Sequence, residues 1–317
     1  METRMKMGLA DMDMKTVFPR LVALPRPEVA KMGKRILSTA TSRERTHDAP
    51  DGILARTIAI TSGKGGVGKT HLAANLAIKF ARAGKRVMVL DADLGLANLD
   101  IVLGVRPRYS LAHVIKGEKT LKDVVFEGPE GIRVIAGGSG LEELADLGDD
   151  ARLELLSAME QVEDQVDIMI IDTGAGLSRN VLSFLKAADE IVVISTPEPS
   201  SLADAYGVIK ATARERKDIQ VSVVANRVWS TEEAEDVFQR LSMVSRQFLG
   251  INLKDGGFVF EDPVVSEAVR KRSPFVVMSP SSRASACMDD VASRFLEIET
   301  HHSEKASFFR KVAALFN

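Results

Sequence analysis

At 317 residues, with 45% hydrophobic and 27% charged side chains, the chain has a globular balance: one large α/β domain plus extensions, or two small ones. Its net charge of −2 supplies no global basic field, so specific nucleic-acid binding is not expected. The single Cys287 excludes an intrachain disulfide framework, and no apolar run approaches the roughly 18 residues of a membrane span.

Residues 1–52 differ from the rest. Met1, Met5, Met7, Met12 and Met14, scattered Lys and Arg, and the polar run from Ser38 to Gly52 read as a flexible extension. It either carries a short helix that docks on a partner or has no role of its own. The first residues lack the apolar core, about 7–15 residues long, of a signal peptide, so a reducing cytoplasm is the expected setting.

Arg56–Thr61 reads as a buried strand and His71–Ala83 as a helix, with Leu72, Leu76, Ile78 and Phe80 available for packing. Between them lies Gly63-Lys64-Gly65-Gly66-Val67-Gly68-Lys69-Thr70, which fits G-x-x-x-x-G-K-[ST]. Its four glycines let the backbone turn tightly, so N–H groups can point at phosphate oxygens. Lys69 can reach the β- and γ-phosphates, and the Thr70 hydroxyl can ligate Mg²⁺. The helix beginning at His71 offers its positive end to the same phosphates. The expected ligand is therefore a nucleoside triphosphate with Mg²⁺. Lys64, a second lysine inside the loop, goes beyond the general pattern.

Further apolar runs follow at Arg86–Asp91, Ile132–Ala136, Val166–Asp172, Glu190–Ser195 and Val221–Asn226, separated by helical patterns. Such alternation predicts a doubly wound, mostly parallel sheet with helices on both faces, and one phosphate-loop domain over 53–300. Ligands in such sheets sit beyond the carboxyl ends of the strands. Asp172 closes one strand and can hold a magnesium-bound water. Thr173-Gly174-Ala175-Gly176 behind it gives a loop that can move when the terminal phosphate leaves. The run Asp91 to Asp100 follows another strand. Asp93 is placed there to orient an attacking water, with Asp91 structural or outer-shell around Mg²⁺. Asn226 ends a further strand and can hydrogen-bond a base or simply make a turn.

At the end of the sequence, Phe308, Phe309, Val312, Leu315 and Phe316 fall within a roughly 120° arc of one helix, with Arg310 and Lys311 outside it. A basic amphipathic helix over 301–317 suits an anionic membrane surface, and two copies on a dimer would bind better than one. A helix packed on its own domain has the same pattern, and both states can hold in turn.

Together these motifs resemble the MinD/ParA group of deviant phosphate-loop ATPases, from about Ile58 onward. Within that group the likeness is to the FlhG/FleN family, which regulates flagellar number and placement. It is carried by Ser62–Thr70, Asp91–Asn98, Asp172–Gly176, Asp204–Lys210 and Val264–Val269. The resemblance implies a weak ATPase that dimerises with ATP. It makes Lys64 the lysine that reaches a second copy's phosphates, and Lys69 and Thr70 the phosphate and Mg²⁺ ligands. Asp93 and Asp172 would act on the water and the outer magnesium shell, and Asn226, Arg227 and the loop at Pro280 would meet adenine. It also implies an anionic membrane surface and a flagellar assembly GTPase or transcription regulator as partners, with ATP-dependent peripheral attachment at the inner face of the cell membrane. The Asp-Gln-Ala-type motif with which some relatives stimulate a GTPase does not occur in residues 1–52. MinD-type division-site selection shares nearly all of this chemistry. ParA-like DNA segregation would draw on the small cluster Arg270-Lys271-Arg272. An iron–sulfur scaffold would need paired cysteines, which one Cys287 does not supply.

Overall fold

The computed structural model describes residues 54–93, 98–137, 155, 158–216, 218–297 and 307–316. The expected extension at 1–52, the motif residues 94–97 and the start of the C-terminal segment at 301–306 lie outside them.

The chain begins with β1 (Arg56–Ser62), the phosphate loop and α1 (Lys69–Arg82), then β2 (Val87–Ala92). Short helices α2 (Leu99–Leu103), α3 (Leu111–Ile115) and α4 (Leu121–Val124) lead to β3 (Val125–Glu127) and β4 (Arg133–Ala136). Next come β5 (Ile168–Ala175), α5 (Arg179–Ala187), β6 (Glu190–Ser195), α6 (Pro199–Glu215) and β7 (Gln220–Val228). The order ends with α7 (Thr231–Leu249), β8 (Lys254–Phe260), α8 (Pro263–Lys271), α9 (Phe275–Met278), α10 (Arg283–Leu296) and α11 (Phe308–Phe316). The strands form one sheet in the order β3-β4-β2-β5-β1-β6-β7-β8. Among the described residues, only the β3–β4 pair is antiparallel.

The apolar runs of β1, β2 and β6 are buried at every position because helices cover both faces. Ile58, Ile60, Val89, Ile170 and Val192 pack into the core shared with α1 and α10. The alternate residues Ala59, Leu90, Ile171 and Val193 are equally buried and point the other way. On that side α5, α6 and α7 pack in sequence, and α11 lies against α5. At the amino ends of β1 and β6, a buried Arg56–Glu190 pair (Nη2 to Oε2 2.8 Å) also reaches the carbonyl of Phe295. It ties the sheet to the end of α10.

Two strands differ from the sequence expectation. β3 is a three-residue edge whose pattern is too short to read. β8 opens on Lys254-Asp255-Gly256-Gly257, which has the composition of a turn. Its glycines are there for space: a Cβ on Gly256 would meet Val224 Cγ2 at 2.9 Å, and Gly257 adopts φ +92°.

Candidate nucleotide site

Because β1, β2, β5, β6, β7 and β8 run parallel, their carboxyl ends gather at one edge of the sheet. β1 is the strand at which the chain order reverses, and the phosphate loop leaves from its end. The loop is shaped by close backbone approaches. A Cβ on Gly63 would lie 2.2 Å from the Asp204 carbonyl group on α6, and one on Gly68, at φ +100°, 2.5 Å from Asn226 Nδ2. Gly66 also takes positive φ (+77°), which glycine adopts at no steric cost. The Ser62 hydroxyl donates to the Lys64 carbonyl at 2.7 Å, closing the turn from the inside. Gly68 caps α1 in the left-handed conformation, so the first helical N–H groups face the loop.

Lys69 is buried beneath the loop. Burial pushes its ammonium pKa down, while Asp172 and Asp93 oppose that shift. The three expected charged groups therefore converge, and the Thr70 hydroxyl hydrogen-bonds Asp172. Strand register explains the acid pair: Asp91 on β2 stands directly beside Asp172 on β5. Burial first, and then the neighbouring Asp91, push Asp172 up to about 7. Burial raises Asp91 to about 6, although it accepts hydrogen bonds from the N–H groups of Leu99 and Asp93, both at 3.2 Å. Asp91 thus holds the backbone N–H groups of Asp93 and Leu99. Asp93 lies against the carboxyl end of β5, where a Cβ on Gly174 would sit 3.3 Å from its Oδ1; Thr173, Gly174 and Ala175, expected as a loop, extend that strand instead.

Mg²⁺ fits this donor set. Oδ1 of Asp172 is buried without a hydrogen-bond partner, next to a threonine hydroxyl and two further carboxylates. A cation there would satisfy that oxygen and favour the ionised acids. The described residues contain no cluster of three or more His, Cys, Asp or Glu able to cage a metal alone. That is the pattern for an ion held by one hydroxyl, by phosphate oxygens and by waters.

Beside the loop opens a cleft of about 300 Å³. Gly66, Gly68, His71, Asn226 and Arg227 line it. Burial lowers the His71 pKa. The Asn226 amide donates to the Val67 carbonyl at 2.7 Å, so it clamps the loop to β7. Arg227, at φ 59°, pairs with Glu261 at 2.7 Å. Pro280 does not line this cleft; it stands exposed in the turn before α10. The wall expected from it is supplied by Phe260, Asp262, Val265 and Phe275, which the sequence did not single out. Lys64 points away from its own loop and pairs with Glu198 at 2.6 Å and Ser200 at 3.3 Å. Glu198 was also missed; its place directly after β6 was the available signal.

The C-terminal residues lie elsewhere, packed on their own domain. Phe308, Phe309 and Val312 do not face outward in this structure; each is at most 3% exposed. Phe308 stacks on Phe184 of α5 (centroids 6.5 Å apart), and Leu315 is half-buried. Glu163 caps the helix from outside, accepting from the Ser307 hydroxyl at 2.8 Å and the Phe308 N–H at 3.1 Å. Arg310 and Lys311 pair with Glu160 and Asp189. The Phe316 side chain lies outside the described residues.

A parallel sheet, a glycine-shaped phosphate loop and a Lys–Thr–Asp constellation define a phosphate-loop ATPase. The family model described as an AAA domain matches residues 55–223. The chain is 39% identical to the antiactivator FleN of Pseudomonas aeruginosa, covering 75% of this chain and 85% of that protein. It is 35% identical to the flagellum site-determining protein YlxH of Helicobacter pylori, covering 74% and 80%. Among solved structures, the cell division ATPase MinD of Pyrococcus furiosus superposes with a TM-score of 0.61 at 26% identity, covering 78% of this chain and all of that one. The chain belongs to the MinD/ParA group of ATPases, within the flagellar FleN/YlxH family.

Proposed function

We propose that this ATPase is a dimerising switch that hydrolyses ATP slowly and controls flagellar number and placement at the membrane. The observation that carries the reading is the position of Lys64. One buried lysine, Lys69, already serves the loop's own phosphates. The second is held on the surface by Glu198, where a neighbouring copy can meet it. In this reading Lys64 reaches the other copy's phosphates and makes the dimer depend on ATP. Asp93 orients the attacking water, and Lys69 neutralises developing charge. Thr70 directly, and Asp93 and Asp172 through water, would hold Mg²⁺, which supplies further charge neutralisation when bound. Asn226, Arg227 and His71 would line the adenosine side.

The domain division 1–52, 53–300 and 301–317 follows the same reading. The C-terminal helix is the output. Docked as described, it hides its apolar face and pairs Arg310, which stays exposed, and Lys311 with protein carboxylates. Released in the dimer, Phe308, Phe309, Val312, Leu315 and Phe316 would enter an anionic membrane surface, with Arg310 and Lys311 exchanging protein carboxylates for lipid phosphates. Two copies would add their affinities through effective concentration. Attachment is then peripheral, from the cytoplasm; no helix among the described residues is long and apolar enough to cross a membrane. The partners are a second copy, the membrane, and a flagellar assembly GTPase or transcription regulator. The names of FleN and YlxH support the flagellar role. Deleting the gene and counting flagella by electron microscopy tests it. A changed number or position is expected. Normal flagella with minicells, or with anucleate cells, would overturn it in favour of division-site selection or DNA segregation.

A further inference from the structure

The helix α1 holds the phosphate loop at its amino end and encloses an asparagine further on. Asn75 is fully buried, in a helix whose other enclosed side chains are mostly apolar. A buried amide destabilises unless both its ends are paired. Here both are. Its Nδ2 donates to the carbonyl of His71, four residues earlier, at 2.7 Å. Its Oδ1 accepts from the Val276 N–H on α9 at 3.0 Å. Val276 needs that partner. Pro274 gives the short helix α9 no side-chain cap, and the first N–H bonded within it is that of Val277. Further along α1, Arg82 donates from Nη1 to the Val276 carbonyl at 3.0 Å. One helix thus grips both the N–H and the C=O of a single residue on another. The preceding residue, Phe275, belongs to the base-side wall of the cleft. From the far side α10 holds the same wall. Ser285 Oγ donates to the Ser279 carbonyl at 2.7 Å, and Asp262, which opens α8, accepts from the Ala284 N–H at 3.1 Å.

These bonds tie the two halves of the cleft together. The amino end of α1 fixes where phosphates would sit, and Asn75 fixes where Phe275 stands relative to them. His71, whose carbonyl Asn75 holds, lines the cleft as well. A ligand that touches loop and wall together draws affinity from both only if their separation is set before it arrives. We propose that Asn75 is a positioning residue for nucleotide binding: it locks the base-side wall to the phosphate-binding helix, so that adenosine adds affinity beyond that of the triphosphate. The proposal rests on the reading of this cleft as the adenosine side of the site.

Inorganic tripolyphosphate carries the phosphates without ribose or base, so it separates the two halves. Full-length protein with Mg²⁺ is titrated by calorimetry with tripolyphosphate and with a non-hydrolysable ATP analogue. Asn75→Leu keeps the side chain's approximate size, removes both hydrogen bonds and strands the Val276 N–H. It should weaken the analogue about tenfold and leave tripolyphosphate within about twofold of the parent protein. In turnover, KM for ATP should rise in the same proportion while kcat at saturation holds. Arg82→Met releases the Val276 carbonyl and the Glu130 pair but leaves Asn75 in place. It should show the same selective loss at about threefold, and it carries the test if Asn75→Leu does not fold. Equal losses for both ligands would make Asn75 a core residue with no positioning role, and no loss for either would overturn the proposal as well. Phe275→Ala tests the underlying reading separately, and it should weaken the analogue while sparing tripolyphosphate. If it does so while Asn75→Leu and Arg82→Met do not, the proposal falls and the adenosine reading stands. If Phe275→Ala spares both ligands, adenosine does not use this wall and both fall.

Discussion

The phosphate loop is held by its backbone, and the C-terminal helix by side chains. Around Gly63 and Gly68 there is no room for a Cβ, and Asn226 clamps the loop through a main-chain carbonyl. The loop's shape therefore survives whether or not its charged residues are engaged. The helix α11 is seated by the buried side chains of Phe308, Phe309 and Val312, one aromatic stack, one capping carboxylate and two ion pairs. Two of its contacts are partly exposed charges, each worth about 1 kcal/mol or less. In the proposed switch, the loop would be the fixed sensor and the helix the output whose seat is exchanged for a membrane surface.

Substitutions at the two regions should separate accordingly. The largest effect is expected at Gly63. Gly63→Ala places a methyl group against the Asp204 backbone, so it should cost about 3 kcal/mol and abolish ATP binding, read by thermal unfolding and calorimetry. If that variant binds ATP normally, the loop is not backbone-fixed. Asp93→Ala should keep ATP affinity, lower hydrolysis about 100-fold and trap the dimer, as phosphate release and light scattering would show. Unchanged turnover would remove Asp93 from the water.

Asp172 tests the buried acid pair through pH. Its folded-state value near 7 lies above the ordinary 3.8, so the folded protein retains a proton that the unfolded chain releases. Stability without nucleotide should therefore fall as pH rises from about 4 to about 7, with Asp91 acting in the same direction. Asp172→Asn should flatten that slope and stabilise the nucleotide-free protein above pH 7 by about 1–3 kcal/mol while removing hydrolysis. An unchanged slope would mean that these acids are already compensated.

The smallest effect is expected at the helix seat. Glu163→Gln keeps the shape but weakens the cap, costing about 1 kcal/mol. Hydrogen exchange at Phe308 should rise about fivefold while exchange in β1 stays constant. Equal changes in both regions would mean that the helix is a fixed part of the core.

The same asymmetry explains what the sequence could reveal. The loop was legible because its chemistry needs glycine and lysine at set spacings inside a strand–turn–helix unit. The parallel sheet was legible from its uninterrupted apolar strands. β8 was hidden because Gly256 and Gly257 serve packing against Val224 and Val291, which composition alone reads as a turn. The base-side wall at Phe260–Val265 was hidden because it depends on where β8 and α8 meet, not on a local pattern. For α11 the amphipathic pattern was plain, yet its partner was not. An apolar stripe flanked by basic residues fits a membrane or a groove lined by Phe184, Glu160, Glu163 and Asp189, and only the fold brings those four together.

The most direct test of the central claim is the mass of the protein in solution by light scattering, with Mg²⁺ and a non-hydrolysable ATP analogue and again with ADP. The account predicts a doubled mass with the analogue, and a monomer with ADP or in Lys64→Ala. A monomer that remains monomeric with the analogue fully bound would contradict it.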